Sequence, residues 1–262
     1  MRDFIFAANW KLHKTPAEAV AFFENFITGL AAKTPVGSVA KGPNGGVRRV
    51  VFFVPALALP AAECTVKGTA IELGGQNIHQ EVKGAFTGEN SAAVLKAIGV
   101  GWALVGHSER RTLFGETDEA TALKMKTALD NGLSAMLCVG ETLAERDANK
   151  TIEIVSRQLL VGLSKVREVL GVTPARISIA YEPVWAIGTG KVATPTQASE
   201  VHQAVRQWLV KNFDAKTANE IAILYGGSVK PDNAASIAAQ PDIDGFLVGG
   251  ASLEPASFLG LI

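Results

Sequence analysis

The sequence has little of what marks several protein classes, and each shortage removes a class. Cysteine is nearly absent: Cys64 and Cys138 are the only two in 262 residues. They lie far apart, so no disulfide framework is suggested, and a reducing cytoplasm is the expected setting. Charge has no dominant sign. Lys plus Arg and Asp plus Glu each number 25, which gives no reason to expect nucleic acid or an anionic membrane as partner. No run approaches the ~20 apolar residues that span a bilayer. The opening Met1-Arg2-Asp3, leading through a short apolar run into Asn9-Trp10-Lys11, lacks the long apolar region and cleavage site of a signal peptide. Histidine is limited to His13, His79, His107 and His202. Neither these nor the cysteines cluster at ligand spacing, so no metal is expected.

What is present is an alternation of strand and helix signals. Hydrophobic residues make up 48% and charged residues 19%, enough apolar side chain for a sizeable core, and the length suits one large α/β domain. Nearly continuous apolar runs recur at Phe4–Ala8, Val50–Val54, Ala70–Leu73, Ala103–Val105, Ala135–Val139, Ile177–Tyr181, Ile221–Tyr225 and Gly245–Val248. Continuous rather than alternating runs belong to parallel strands covered on both faces. Eight such units favour a single-domain (β/α)₈ barrel over residues 1–262. A doubly wound open sheet has the same local pattern, and periodicity does not separate the two.

Helix starts are marked by Thr15-Pro16-Ala17-Glu18 and Thr194-Pro195-Thr196-Gln197, capping boxes with proline at the first helical position. The first predicts a helix burying Val20, Phe23, Ile27 and Leu30, the second one burying Val201, Val205 and Trp208. Ile152, Val155, Leu159, Val166 and Leu170 predict one longer helix. Ala31–Gly46, rich in Gly, Pro and Lys, reads as a mobile surface connection. Gly74–Glu89 is a long aperiodic loop, a length usually tied to function. Glu182–Lys191 joins a stiff Pro-Val-Trp entry to a Gly-Thr-Gly exit, which suits a lid with hinges.

In a (β/α)₈ barrel, reacting groups sit at the carboxyl ends of strands. There the sequence places Asn9 and Lys11 after the first strand, His107 after the fourth and Glu182 after the sixth. Gly226-Gly227-Ser228 follows the seventh, and Gly249-Gly250 the eighth. A carboxylate base, an imidazole, a cation and Gly-rich turns able to offer backbone N–H groups to a phosphate would thus share one mouth. That set suits proton transfer beside a carbonyl in a sugar phosphate. Cys138 reads as a packing residue, and His13, His79 and His202 as structural or exposed.

Six blocks carry a resemblance: Asn9–Lys11, Gly84–Glu89, Gly106–Arg111, Ala180–Gly190, Tyr225–Val229 and Leu247–Ser252. In this order, and covering nearly the whole chain, they resemble the triosephosphate isomerase family. The resemblance implies a cofactor-free aldose–ketose isomerase of glycolysis and gluconeogenesis acting on triose phosphates, and a homodimer. It implies Glu182 as proton-shuttling base, His107 as neutral electrophile, its imidazolium disfavoured by a helix N-terminus beginning near Ser108, and Lys11 and Asn9 as stabilisers of the enediolate. Gly188, Ser228, Gly249 and Gly250 would hold the phosphate, Glu109 would support Lys11 and the base, and Tyr225 and Ser228 would latch the lid. It departs from the family at the long Ala31–Gly46 connection, at Leu12-His13-Lys14 and at the short end after Phe258-Leu259. Two rivals remain open on residues alone. A Schiff-base aldolase would need a lysine on a barrel strand, and a scaffold that had lost activity would lack one of Asn9, Lys11, His107 and Glu182.

Overall fold

The computed structural model describes residues 2–33, 40–187 and 193–262. Eight strands form the sheet: β1 (Phe4–Asn9), β2 (Arg48–Val54), β3 (Ile71–Gly75), β4 (Trp102–Val105), β5 (Ser134–Val139), β6 (Ile177–Tyr181), β7 (Ala222–Tyr225) and β8 (Gly245–Val248). All pair in parallel in chain order, and β1 pairs with β8. The sheet is therefore a closed barrel, which resolves the choice that periodicity left open. Around it run α1 (Pro16–Ala32), α2 (Leu59–Val66), α3 (Ala92–Ala97), α4 (Ser108–Phe114), α5 (Asp118–Asp130) and α6 (Leu143–Asp147). They are followed by α7 (Thr151–Gly162), α8 (Arg167–Val172), α9 (Pro195–Asn212), α10 (Ala215–Glu220), α11 (Ala234–Ala238) and α12 (Pro255–Leu259).

Alternation along the strands splits the core in two. Ile5, Ala7, Val51, Phe53, Trp102, Leu104, Met136, Cys138, Ala180, Ala222, Leu224 and Leu247 form a cluster drawn from strands alone, the filling of the barrel lumen. Cys138 is thus a packing residue. Strand β3 places Gly74 at this parity: a Cβ there would come within 2.4 Å of the Phe53 ring, so glycine makes room for the phenylalanine. The opposite strand faces pack against the helices.

Both expected capping boxes form, and Thr142 with Glu145 makes a third. Two helix faces differ from expectation. On α1 the buried residues are Ala19, Phe22, Phe23 and Phe26, with Ile27 and Leu30 only half-buried at the edge. Ring packing among Trp10, Phe22, Phe23, Phe26, Phe52 and Phe258 turns that face inward. The predicted long helix is two, α7 and α8, and Ile152 is 48% exposed. Gly162 ends α7 where a Cβ would lie 2.8 Å from Leu137 on β5, and Val166 leaves helical geometry at φ −124°. Residues 31–32 of the predicted surface connection belong to α1, and residues 34–39 lie outside those described. The connection's far end is a tight turn, with Gly42 N–H donating to Gly46 O at 2.9 Å, that leads into β2.

Candidate active site

Closure of the barrel brings the carboxyl ends of all eight strands around one mouth. A cavity of about 720 Å³ opens there, lined by Asn9, Lys11, His107, Glu182, Ser228, Gly249 and Gly250. Seven of the eight residues expected in the site thus share one cavity. Gly188, with 189–191 of the lid segment, lies outside the described residues. Ala186, Ile187, Leu247 and Val248 add apolar wall to the same cavity.

Glu182 is buried immediately past β6. Both of its oxygens are engaged: Oε2 accepts from the Ser108 N–H at 2.8 Å, and Oε1 lies 2.9 Å from His107 Nε2. Burial disfavours its charge, yet His107, the Ser108 N–H and Lys11 together pull its pKa below the ordinary carboxylate value. His107 caps α4 with its ring, Nδ1 accepting from the Glu109 N–H at 3.3 Å. An Nδ1 that accepts leaves the ring proton on Nε2, aimed at Glu182.

The expected start of a helix at Ser108 is present, but its expected effect on His107 is not what dominates. Burial lowers the pKa of the ring, and the adjacent Glu182 carboxylate more than reverses this, so the net shift is upward. The resting carboxylate sits against the imidazole and favours its cation, while the Nδ1 cap works on the side of the neutral ring.

Lys11 holds a backbone conformation that side chains rarely adopt, φ +50°, a strain found where function fixes geometry. Three bonds hold it there. Its N–H donates to Asn9 Oδ1 at 3.0 Å, its carbonyl accepts from Gln76 Nε2 at 2.9 Å, and its Nζ pairs with Glu109 Oε1 at 2.5 Å. Asn9 spends its oxygen on Lys11, which leaves its amide N–H groups for the cavity. Gln76 also donates to Phe53 O at 3.1 Å. Its loop stands out in the sequence by length, but nothing there singles out Gln76.

The Gly-rich turns are shaped by close approach. A Cβ on Gly226 would lie 3.0 Å from Glu182 Cγ, and one on Gly227 would lie 2.2 Å from the Tyr225 hydroxyl. A Cβ on Gly249 would sit 3.5 Å from Lys11 Cε, which puts this turn beside the cation. Gly249 O accepts from the Ser252 N–H and hydroxyl at 2.8 and 2.7 Å, closing the short 3-10 turn Gly250–Ser252. The first N–H groups of such a turn have no partner within it. Ser252, buried under the turn, ends one of the six blocks but has no role assigned from sequence, and Glu141 is not marked there at all. The Glu141 carboxylate, also buried, accepts from Tyr181 OH at 3.1 Å and Trp185 Nε1 at 2.9 Å.

A second cavity, about 590 Å³, shares Asn9, Lys11 and His107 with the first and is walled by Leu12, Gln76, Glu109, Leu113 and Phe114. Leu12, Leu113 and Phe114 are among the most exposed apolar side chains, at 95%, 71% and 69%. Among the described residues, no His, Cys, Asp and Glu group could hold a metal ion, and no helix is long and apolar enough to cross a membrane.

Comparison with known proteins matches this arrangement to one family. The family profile described as triosephosphate isomerase matches residues 4–262. A triosephosphate isomerase of Solibacter usitatus is 45% identical over 262 residues, covering 100% of this chain and 99% of the relative. That of Bdellovibrio bacteriovorus is 50% identical over 254 residues, 97% of this chain and 96% of its own. That of Carboxydothermus hydrogenoformans is 47% identical over 265 residues, 100% and 98%.

Proposed function

The chain belongs to the triosephosphate isomerase family, and from that premise we propose how its cavity interconverts dihydroxyacetone phosphate and D-glyceraldehyde 3-phosphate without a cofactor. The observation that carries this reading is the convergence of Glu182, His107, Lys11 and Asn9 with the glycine turns on one cavity.

Glu182 is the base. In the resting site its oxygens are occupied, so substrate must replace at least one partner before the carboxylate can face a carbon-bound proton. A substrate carbonyl oxygen entering beside His107 Nε2 takes over the donor that Oε1 faces. Two consequences follow together. Glu182 loses an interaction that holds its proton affinity down, and His107 loses the contact that favours its cation. With Ile187 on the same wall, the freed carboxylate is poorly solvated and becomes a stronger base.

The proton then moves from the carbon beside the carbonyl to Glu182, and the C–H electron pair forms the enediolate double bond. Charge developing on oxygen meets the His107 Nε2–H, the Asn9 amide and the Lys11 ammonium, groups already held in place. A cation about 4 Å away contributes ~4 kcal/mol at an effective dielectric near 20. Transfer of the hydroxyl proton from one enediolate oxygen to the other by way of His107, with return of the carbon-derived proton from Glu182 to the neighbouring carbon, completes the isomerisation. Ser228 and the N–H groups of Gly249 and Gly250 take the phosphate, joined in this reading by Gly188. A coupled assay with glyceraldehyde 3-phosphate on wild type and Glu182→Ala tests the assignment: turnover in the first and near loss in the second is expected. An inactive wild type would sink the proposal.

The second cavity supports a homodimer. Its apolar rim lies against Lys11, His107 and Glu109, where the Gly74–Glu89 loop of a second copy, its Ile78 buried but Val82 and Phe86 exposed, seats and brings Thr87 to the neighbouring site. Activity should then track dimer content in sedimentation over a dilution series, and a fully active monomer would contradict this. The free, widely separated cysteines and balanced charge support a cytoplasmic enzyme without nucleic-acid or membrane partners.

A further inference from the structure

The ladder that aligns β5 with β6 ends at the pair Val139–Tyr181, one residue short of the base. Beyond it, the base segment rests on residues 139–141 through two backbone bonds. Glu182 N–H donates to Val139 O at 2.7 Å, and Val184 N–H donates to Glu141 O at 3.2 Å. Between these lies Gly140, pressed against the base: a Cβ there would be 1.7 Å from the Glu182 carbonyl oxygen and 3.3 Å from its Cα. Any shift of the Gly140 peptide toward β6 is therefore passed directly to the Glu182 backbone.

What fixes Gly140 is a side chain from outside the sheet. Gln158 projects from α7, is 5% exposed, and grips Gly140 on both sides. Its Oε1 accepts the Gly140 N–H at 2.7 Å, and its Nε2 donates to the Gly140 carbonyl at 3.1 Å. A primary amide presents one donor and one acceptor in a plane, as a neighbouring strand would. Gln158 thus continues backbone pairing at the point where the ladder stops.

We propose that Gln158 is a positioning residue for Glu182, acting through Gly140 to hold the base at the distance proton transfer requires. The inference rests on the reading of Glu182 as the base. Proton abstraction from carbon is sensitive to placement on the ångström scale, whereas phosphate binding, in the same reading, rests on Ser228 and the N–H groups of Gly249 and Gly250, none of which Gln158 touches. Loss of the amide should therefore lower kcat and leave KM nearly alone.

The test replaces Gln158 by Leu, which has no polar group, and by Asn, which keeps the amide but falls one methylene short of Gly140. Each replacement is made in wild type and in Glu182→Gln. In wild type, kcat should fall ~10-fold with KM within about twofold. In Glu182→Gln the same replacement should change the residual kcat less than about twofold, because no base remains to be misplaced. Equal fold-losses in both backgrounds, the mark of general loosening, would overturn the proposal, as would no loss in either. Should Gln158→Leu not fold, Gln158→Asn carries the comparison. A near-normal kcat in Glu182→Gln alone would remove the base assignment itself, an outcome distinct from failure of the Gln158 arm.

Discussion

At the N-terminal end of the barrel, Arg2 meets Asp242 and Asp244 at 3.3 and 2.7 Å, and Arg206 meets the same two at 3.0 and 2.7 Å. Arg49 likewise meets Glu72 at 2.6 Å. The groove beside Arg2 and Arg49, lined also by Asp3, Asn219 and Glu220, is about 130 Å³. At the C-terminal end, charged and polar groups of the same kinds surround a cavity more than five times larger. Lys11 is held there in a strained conformation, and Glu182 is held by the Ser108 N–H and by His107, partners that substrate replaces in the mechanism proposed above. The lower network is saturated, so removing a member should cost stability and leave chemistry alone. The upper one is poised, so removing a member should cost chemistry and leave the fold alone. This is the division of labour expected between the two faces of such barrels.

The largest effect should come from breaking the lower end. Arg206 also donates to the carbonyls of Ala218 and Ile221, and Asp244 is 1% exposed. Arg206→Leu leaves the buried Asp244 carboxylate and the half-buried Asp242 short of a partner and should cost about 3–5 kcal/mol, with kcat per folded molecule unchanged. Denaturant unfolding beside active-site titration separates the two. Equal damage to kcat would erase the contrast.

Next in size is a pH effect beside the same network. His202 is fully buried, its Nδ1 2.9 Å from Asp242 O, with Tyr181 and Tyr225 against the ring. Burial is the main cause that lowers its pKa to about 4; Arg206 adds to it, while Asp242 and Asp244 oppose. Folded and unfolded states are both neutral there above pH ~6.5. As pH falls, the unfolded chain takes up the proton first, so stability drops between about 6.5 and 4 and then levels. The drop should be about 3 kcal/mol, and His202→Gln should flatten it. An unchanged slope in that variant would show that other groups set the acid response.

The smallest effect belongs to the phosphate side of the mouth. Ser252→Ala removes the hydroxyl that bonds Val248 O and Gly249 O. It should loosen the turn by ~1 kcal/mol and raise KM several-fold with kcat within about twofold. A change confined to kcat would mean that this turn does not hold the phosphate.

The two ends also differ in how far sequence reveals them. All eight strands were legible as apolar runs, because a strand covered on both faces writes that in its own residues. Closure was not, since pairing of β8 with β1 joins segments more than 230 residues apart. Asn9, Lys11, His107 and Glu182 were legible because each stands at a strand end within a recognisable block. Their supports were not. Gln76, Glu141 and Gln158 are ordinary polar residues whose partners are set only by the folded chain: Gln158 reaches 18 residues back to Gly140, and Glu141 reaches 40 forward to Tyr181. For the same reason the upward shift at His107, caused by Glu182 from 75 residues away, ran against the neutral ring expected from its local helix.

The central claim is that Glu182 removes the proton from carbon while other residues hold the phosphate. Glu182→Gln keeps the volume and the polarity and takes away the proton acceptor. The deciding measurement is its kcat beside calorimetric binding of 2-phosphoglycolate, on protein with wild-type unfolding behaviour. The account predicts a fall in kcat of at least ~10²-fold with a much smaller change in affinity. A folded variant with near-normal kcat would contradict it and leave the cavity without a base.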